Sequence, residues 1–356
     1  MTEVYYSPDY SQSNPYQRLL GEALEAEGVT VTPVRRHDVF MPAAAARGEL
    51  PDVLHLHWID MFVVGRHWSI TLVKGLVFLA QLTVLSLAGV RLVWTVHNVL
   101  QHDPQTPRTE TAIRHLLARL VAAMIVHCRE ATETVLRAYR LPDRYRNRMH
   151  VVPHGHYLDA YDDDVSREAA RDDLDLDEEF VFLFFGRICA YKNVTALVEA
   201  FCGLPGEEIR LFVVGNPQGP DVDRAVRAAA AGDERVRLTL EFIPTERIQV
   251  YMNAADVVVI PFEDVLTSGS VIAAMSFGRS VLVPNAGCVR AILPPGGGFT
   301  YEPSGSIDTL QAAMRDVQTA DVDVAGRANR RAMASYDWET IARRTTEVYE
   351  RTAPSA

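Results

Sequence analysis

Short apolar runs alternate with amphipathic stretches along the whole chain, the rhythm of β-α-β units whose parallel strands are buried on both faces. In the first half, Val4–Ser7, Val53–His57, Arg91–Val96, Met124–His127 and His150–Pro153 are the expected strands. In the second they are Phe180–Phe185, Ile209–Val214, Val236–Phe242, Val257–Pro261 and Val281–Pro284. Pro15–Glu27, Glu110–Val121, Val194–Phe201 and Ile248–Ala254 carry helical spacing. The pattern predicts two similar α/β halves.

Length and charge agree with that division. A chain of 356 residues exceeds what a single core ordinarily holds. Residues 1–160 carry 16 basic and 15 acidic side chains, and residues 161–356 carry 19 and 31. The net charge of −11 excludes a nonspecific nucleic-acid binder, which needs a basic stripe to meet phosphates. Only two of the basic residues are lysines, Lys74 and Lys192.

Tyr157 to Glu179 is crowded with acid and reads as a solvated linker entering a helix over Val165–Asp173. Its Asp162-Asp163-Asp164 triplet is a poor metal-binding DxD, a motif that belongs at a strand end. Cys128, Cys189, Cys202 and Cys288 lie far apart with no CxxC spacing, so neither a zinc site nor a disulfide framework is indicated. The first residues lack a basic region followed by an apolar one and read as a strand, so a cytoplasmic location is expected.

Gly75 to Val90 is a run of 16 residues without a charge, short of the roughly 20 that span a bilayer. Two readings stay open: a buried core helix, or a helix lying in the plane of a membrane surface. Arg66, His67, Trp68, Lys74 and Arg91 would form the basic and aromatic rim of the second.

The chemistry gathers in the second half. After the Val181–Phe185 run come Gly186, Arg187 and, five residues beyond the arginine, Lys192. A glycine at a strand end permits close backbone approach, and two cations at a strand-to-helix turn can converge on one anion. After Pro261, Thr267, Ser268, Gly269 and Ser270 place hydroxyls and backbone amides at the start of a helix, a second anion cradle. Both follow strands expected in one sheet, where ligands of open α/β sheets bind.

These residues carry a resemblance. Gly186-Arg187 with Lys192, Asp256–Pro261, and Ala274-Met275-Ser276-Phe277-Gly278 before Val281–Pro284 resemble the donor domain of family-4 glycosyltransferases (GT4). The likeness extends through Pro51–His57, Thr95-Val96-His97-Asn98, Val151–Gly155 and Tyr336-Asp337-Trp338-Glu339. It implies the GT-B fold, two Rossmann-like parallel-sheet domains facing a central cleft. Residues 1–160 would be the acceptor-side domain and 161–335 the nucleotide-sugar domain. Residues 336–356 would be a helix packing back toward the first domain.

The implied activity is retaining transfer of a sugar from a UDP- or GDP-sugar to a hydroxyl of a glycan or lipid-linked acceptor, without metal or resident cofactor. It belongs to polysaccharide or glycoconjugate synthesis, in the cytoplasm or at the inner face of the cell membrane. Arg187 and Lys192 match the basic pair that holds the diphosphate, with Thr267, Ser268, Gly269 and Ser270 on the distal phosphate. His97 matches a histidine that bonds the donor sugar. Gly186, Phe242, Ile243 and Glu263 are expected beside the nucleotide. Asn14 and Tyr16, in a polar loop where many members carry a glycine-rich turn, are expected on the acceptor side with His57. An inverting reaction would need a carboxylate base, for which Asp60 and Asp103 are candidates. In many members two glutamates precede the Ala274-Met275 stretch; Val265 and Ala273 stand there instead. A GT-B-type sugar-nucleotide epimerase and a non-catalytic sugar-nucleotide-binding subunit are the alternative readings.

Overall fold

Twelve parallel strands form two six-stranded sheets among the described residues of the computed structural model, which are 2–12, 14–34, 50–101, 105–262, 266–303 and 306–353. The chain divides into two units, Met1–Gly155 with Tyr336–Ala356, and His156–Ser335.

In the first unit the strands are β1 (Glu3–Ser7), β2 (Thr30–Pro33), β3 (Val53–Leu56), β4 (Arg91–Thr95), β5 (Ala123–Val126) and β6 (Met149–Val151), in sheet order β2-β1-β3-β4-β5-β6. β3 and β5 are buried along their whole length, which is why they read as continuous apolar runs. The order reverses between β1 and β3, the crevice where such sheets hold ligands. The C-terminal helix Trp338–Arg351 lies against the Pro15–Ala26 helix. Its Ile341, Val348 and Tyr349 share a core with Val4, Leu20, Leu24 and Val53.

The second unit holds β7 (Phe180–Phe185), β8 (Ile209–Val214), β9 (Val236–Thr239), β10 (Val257–Val259), β11 (Ser280–Pro284) and β12 (Gly298–Tyr301), ordered β12-β11-β10-β7-β8-β9. Here the reversal falls between β7 and β10. β2 and β12 escape the apolar pattern because edge strands are half-exposed and carry mixed residues.

The acidic segment is a correction to the expected solvated linker. Asp163 accepts from Asn253 Nδ2 at 3.0 Å and from Arg330 at 2.7 Å. The amides of Asp164 and Val165 donate to Gln249 Oε1 at 2.8 and 2.9 Å. The segment is pinned to its own unit because short acidic side chains find arginine and amide partners there. Asp256, part of the family-like motif, is likewise structural: it accepts from Arg167 at 2.6 Å and from the Val181 amide at 2.7 Å.

Candidate functional site

In the second unit, β7 ends at Phe185 and the chain turns through Gly186 at φ +127°. A Cβ there would stand 2.8 Å from Ser270 Oγ and 3.3 Å from Lys192 Nζ. Glycine therefore keeps open a space on which a hydroxyl and an ammonium converge. Lys192 closes the short turn Ala190–Lys192, after which Asn193, at φ 51°, enters the Val194–Cys202 helix. The lysine is only 8% exposed, and its Nζ lies 5.8 Å from the Phe184 ring and 5.2 Å from the Phe262 ring. Burial pulls its ammonium down to about 8; the Arg187 guanidinium pulls the same way and the Cys189 thiol opposes. No carboxylate of the described residues offsets that charge.

Facing this turn, the Gly269–Ser276 helix begins with Ser268 as its cap, Oγ accepting from the Val271 amide at 3.4 Å. The Gly269 and Ser270 amides stay outside the helical ladder, as first-turn donors do, and form the positive end of the helix dipole. Thr267 precedes them, half-buried. A buried ammonium, an exposed guanidinium, a hydroxyl and free amides at the β7/β10 switch point suit a multiply charged anion. Phe242, 75% exposed, and half-buried Ile243 lie beyond the end of β9. Glu263 and Val265 fall outside the described residues. Ala273 is buried within the helix, so its position offers no side-chain acceptor.

The first unit holds an arrangement that pattern reading missed. His57, His97, His127 and His154 follow the ends of four adjacent strands, β3 to β6, and all are buried with His55. Three of them form a chain. His57 Nδ1 lies 3.2 Å from His97 Nε2, and His97 Nδ1 lies 3.4 Å from His127 Nε2. His127 Nδ1 is 3.0 Å from the Val152 carbonyl. Burial holds His127 down to about 4, and keeps His57 and His97 well below the ordinary imidazole range, so the rings are neutral at pH 7.

The proton positions then follow from one end. A carbonyl only accepts, so His127 carries its proton on Nδ1 and accepts at Nε2. His97 must donate from Nδ1 and accept at Nε2 from the His57 Nδ1–H. That leaves His57 Nε2 as a bare acceptor, and it is buried without a partner, as is Ser7 Oγ. Both sit at the β1/β3 reversal, where the His57 amide donates to the Ser7 carbonyl at 2.9 Å. Ring-nitrogen NMR of labelled protein should show His97 protonated on Nδ1 and, in His127→Phe, a shift toward Nε2 protonation. A wild-type His97 protonated on Nε2 would contradict the chain.

Tyr16 is buried edge-on to His97 at 5.1 Å, and Trp58 stacks on His97 at 4.1 Å. Asn14 spends its side-chain oxygen capping the Pro15–Ala26 helix through the Tyr16 amide. Asp60 is ion-paired with Arg114, which also binds Glu110 at 2.8 Å. Asp103 lies outside the described residues. Despite so many imidazoles, no group of three or more His, Cys, Asp or Glu among the described residues has metal-holding geometry.

Residues 179–319 match the family described as glycosyl transferases group 1. A GDP-mannose:glycolipid 4-beta-D-mannosyltransferase of Xanthomonas campestris is 28% identical over 274 residues, covering 74% of this chain and 73% of that one. A D-inositol 3-phosphate glycosyltransferase of Nocardia farcinica is 33% identical over 172 residues, covering 45% of this chain and 38% of its own. Among solved structures, sucrose-phosphate synthase from Thermosynechococcus elongatus superposes with a TM-score of 0.76 at 20% identity, covering 99% of both chains. Anabaena HepE, in complex with UDP and glucose, gives 0.72 at 16% identity over 99% of this chain and 100% of its own.

Proposed function

We propose that the chain, a family-4-type glycosyltransferase with the GT-B fold, moves a hexose from a GDP-sugar to a hydroxyl of a glycolipid. The convergence of Lys192 Nζ and Ser270 Oγ on the open side of Gly186 carries this reading. The printed donor and acceptor of the Xanthomonas relative support the choice of GDP and of glycolipid.

In the proposed reaction the bond from the sugar's anomeric carbon to the diphosphate oxygen breaks, and its electron pair leaves with the diphosphate. Lys192, Arg187 and the Gly269 and Ser270 amides are aimed at that developing charge, a preorganised electrostatic role. The acceptor oxygen bonds to the anomeric carbon and its proton passes to the departing phosphate. No resident metal or cofactor is assigned a part. His97 positions the donor sugar by exchanging one of its two imidazole partners for a sugar hydroxyl.

Transfer with retention fits the commitment of Asp60 to Arg114, which withholds it from service as a base. Inversion is the second reading, favoured by the β linkage in the relative's name: GDP-mannose carries an α-phosphate, so a β product has changed hand. One experiment tests donor and outcome together. Thermal-shift screening should show GDP and GDP-hexose raising the melting point most, since bound ligand stabilises by about RT ln(1 + [L]/Kd). NMR of the first-formed glycoside then reads its anomeric hand. Stabilisation by UDP conjugates alone would overturn the GDP assignment, and no stabilisation by any nucleotide would overturn the site.

A further inference from the structure

Most of the uncharged run lies in the helix Trp68–Leu87, which is largely uncovered. The helix is 20 residues long and its most apolar 18-residue window has a mean hydropathy of 1.9, yet only 33% of that window is buried. A core helix of that composition would be covered on all sides. Here the inner stripe, including Thr71, Gly75, Phe78 and Leu82, faces the unit. Gly75 lets it approach closely, since a Cβ there would stand 2.5 Å from Ile113 Cγ1 of the Pro107–Leu120 helix. Thr71 and Thr106 hydroxyls bond at 2.8 Å across the same contact.

The outer arc is apolar and open. Trp68, Ile70, Val73, Val77, Val84 and Leu87 are each 48% to 84% exposed, and Leu116 of the neighbouring helix is 44% exposed. Isolated apolar side chains on a surface need no explanation, but a continuous helical face does. Its one ionisable residue, Lys74, turns aside to donate to the Val64 carbonyl at 2.5 Å. Thr83 hides its hydroxyl on the Leu79 carbonyl at 2.8 Å.

Charge around this face departs from the rest of the chain. Residues 60–120 carry six basic and three acidic side chains, against 35 and 46 overall, with the buried Arg114 spent on Asp60 and Glu110. Glu110 is buried against Arg114. Arg66 and His67 precede Trp68, and Arg108 and Arg119 are exposed on the adjacent helix.

We propose that this face docks on an anionic phospholipid bilayer, lying in plane with Trp68, Val73 and Val84 in the boundary between headgroups and acyl chains. Arg66, Arg108 and Arg119 meet the lipid phosphates. The inner stripe is committed to the protein, so the helix rests on the membrane and does not cross it. The inference concerns a surface and holds whichever sugar is moved.

Co-sedimentation with vesicles tests it. The full chain is mixed with vesicles of phosphatidylcholine alone or with about a third phosphatidylglycerol. The expected result is sedimentation with the anionic vesicles, weaker with the zwitterionic ones, and weakened by salt. Val73→Asp with Val84→Asp should lower vesicle affinity by about tenfold or more, while the thermal melt and nucleotide-induced shift stay as in wild type. Arg108→Glu with Arg119→Glu should erase the preference for anionic lipid. Wild type left in the supernatant with both vesicles would overturn the proposal, as would aspartate variants that sediment like wild type. So would a concentration-dependent dimer that the aspartates dissociate without any vesicle binding. Donor turnover on a soluble acceptor would survive each of these failures, so the surface and the chemistry are tested apart.

Discussion

Lys192→Ala should lower turnover by about 10²-fold or more, the scale of removing a donor aimed at developing negative charge, and Arg187→Ala should act in the same direction. Lys192→Arg should also impair the enzyme despite keeping the charge. The space beside Gly186 is bounded by Ser270 Oγ and by the lysine's Nζ itself, and a planar guanidinium is a larger body than an ammonium. Steady-state kinetics check all three, and wild-type rates in both alanine variants would sink the site.

The same lysine sets a pH dependence. Its ammonium titrates at about 8 because it is buried and beside Arg187. Donor affinity should therefore fall as pH rises past 8, and in Lys192→Arg this limb should vanish. Stability runs the other way. The unfolded chain holds this proton to about 10.4, so between about 8 and that value the folded state binds fewer protons and stability rises with pH. At neutral pH the charged form burdens the fold, so Lys192→Met should melt higher than wild type while losing turnover.

Gly215→Ala should damage the second unit as a whole. Gly215 follows β8 at φ +145°, and a Cβ there would overlap the Gly186 carbonyl. The colliding atom is backbone, so no side chain can swing aside. Overpacking costs about 1–3 kcal/mol, and a side chain forced into this backbone region adds a further 1–3 kcal/mol or so. For a unit of this size roughly 2–4 °C is lost per kcal/mol, so melting should fall by on the order of 10 °C. The Gly186 turn must also shift, and nucleotide stabilisation should fall with it. An unchanged melt and an unchanged nucleotide response would show that the two turns are not back to back.

How far the sequence foretold this depends on the residue. β7 and β8 match their expected limits to the residue, since buried parallel strands are uninterrupted apolar runs. The edge strands β2 and β12 left no such run. Lys192 and the Ser268–Ser270 segment were legible because glycine, cation and hydroxyl cluster at strand ends. That Gly186, Lys192 and Ser270 meet at one point was not, because contact across a sheet leaves no trace in spacing. The histidine chain had a signal of another kind, a histidine just past the end of each of four successive strands. Read one at a time, each is an ordinary buried histidine; only the sheet order makes them neighbours. Asn14 and Asp60, polar side chains in apparently free loops, take part in a helix cap and an ion pair, partners that spacing alone does not reveal.

The scarcity of lysine has a consequence for handling the protein. Side-chain amines number two. One is held by the Val64 carbonyl and the other stands beside Gly186. Conjugation, immobilisation or cross-linking through amines therefore has almost nowhere to go except the chain terminus and the site itself. Any such modification that inactivates the protein, and that a nucleotide prevents, will have marked Lys192 by chemistry alone.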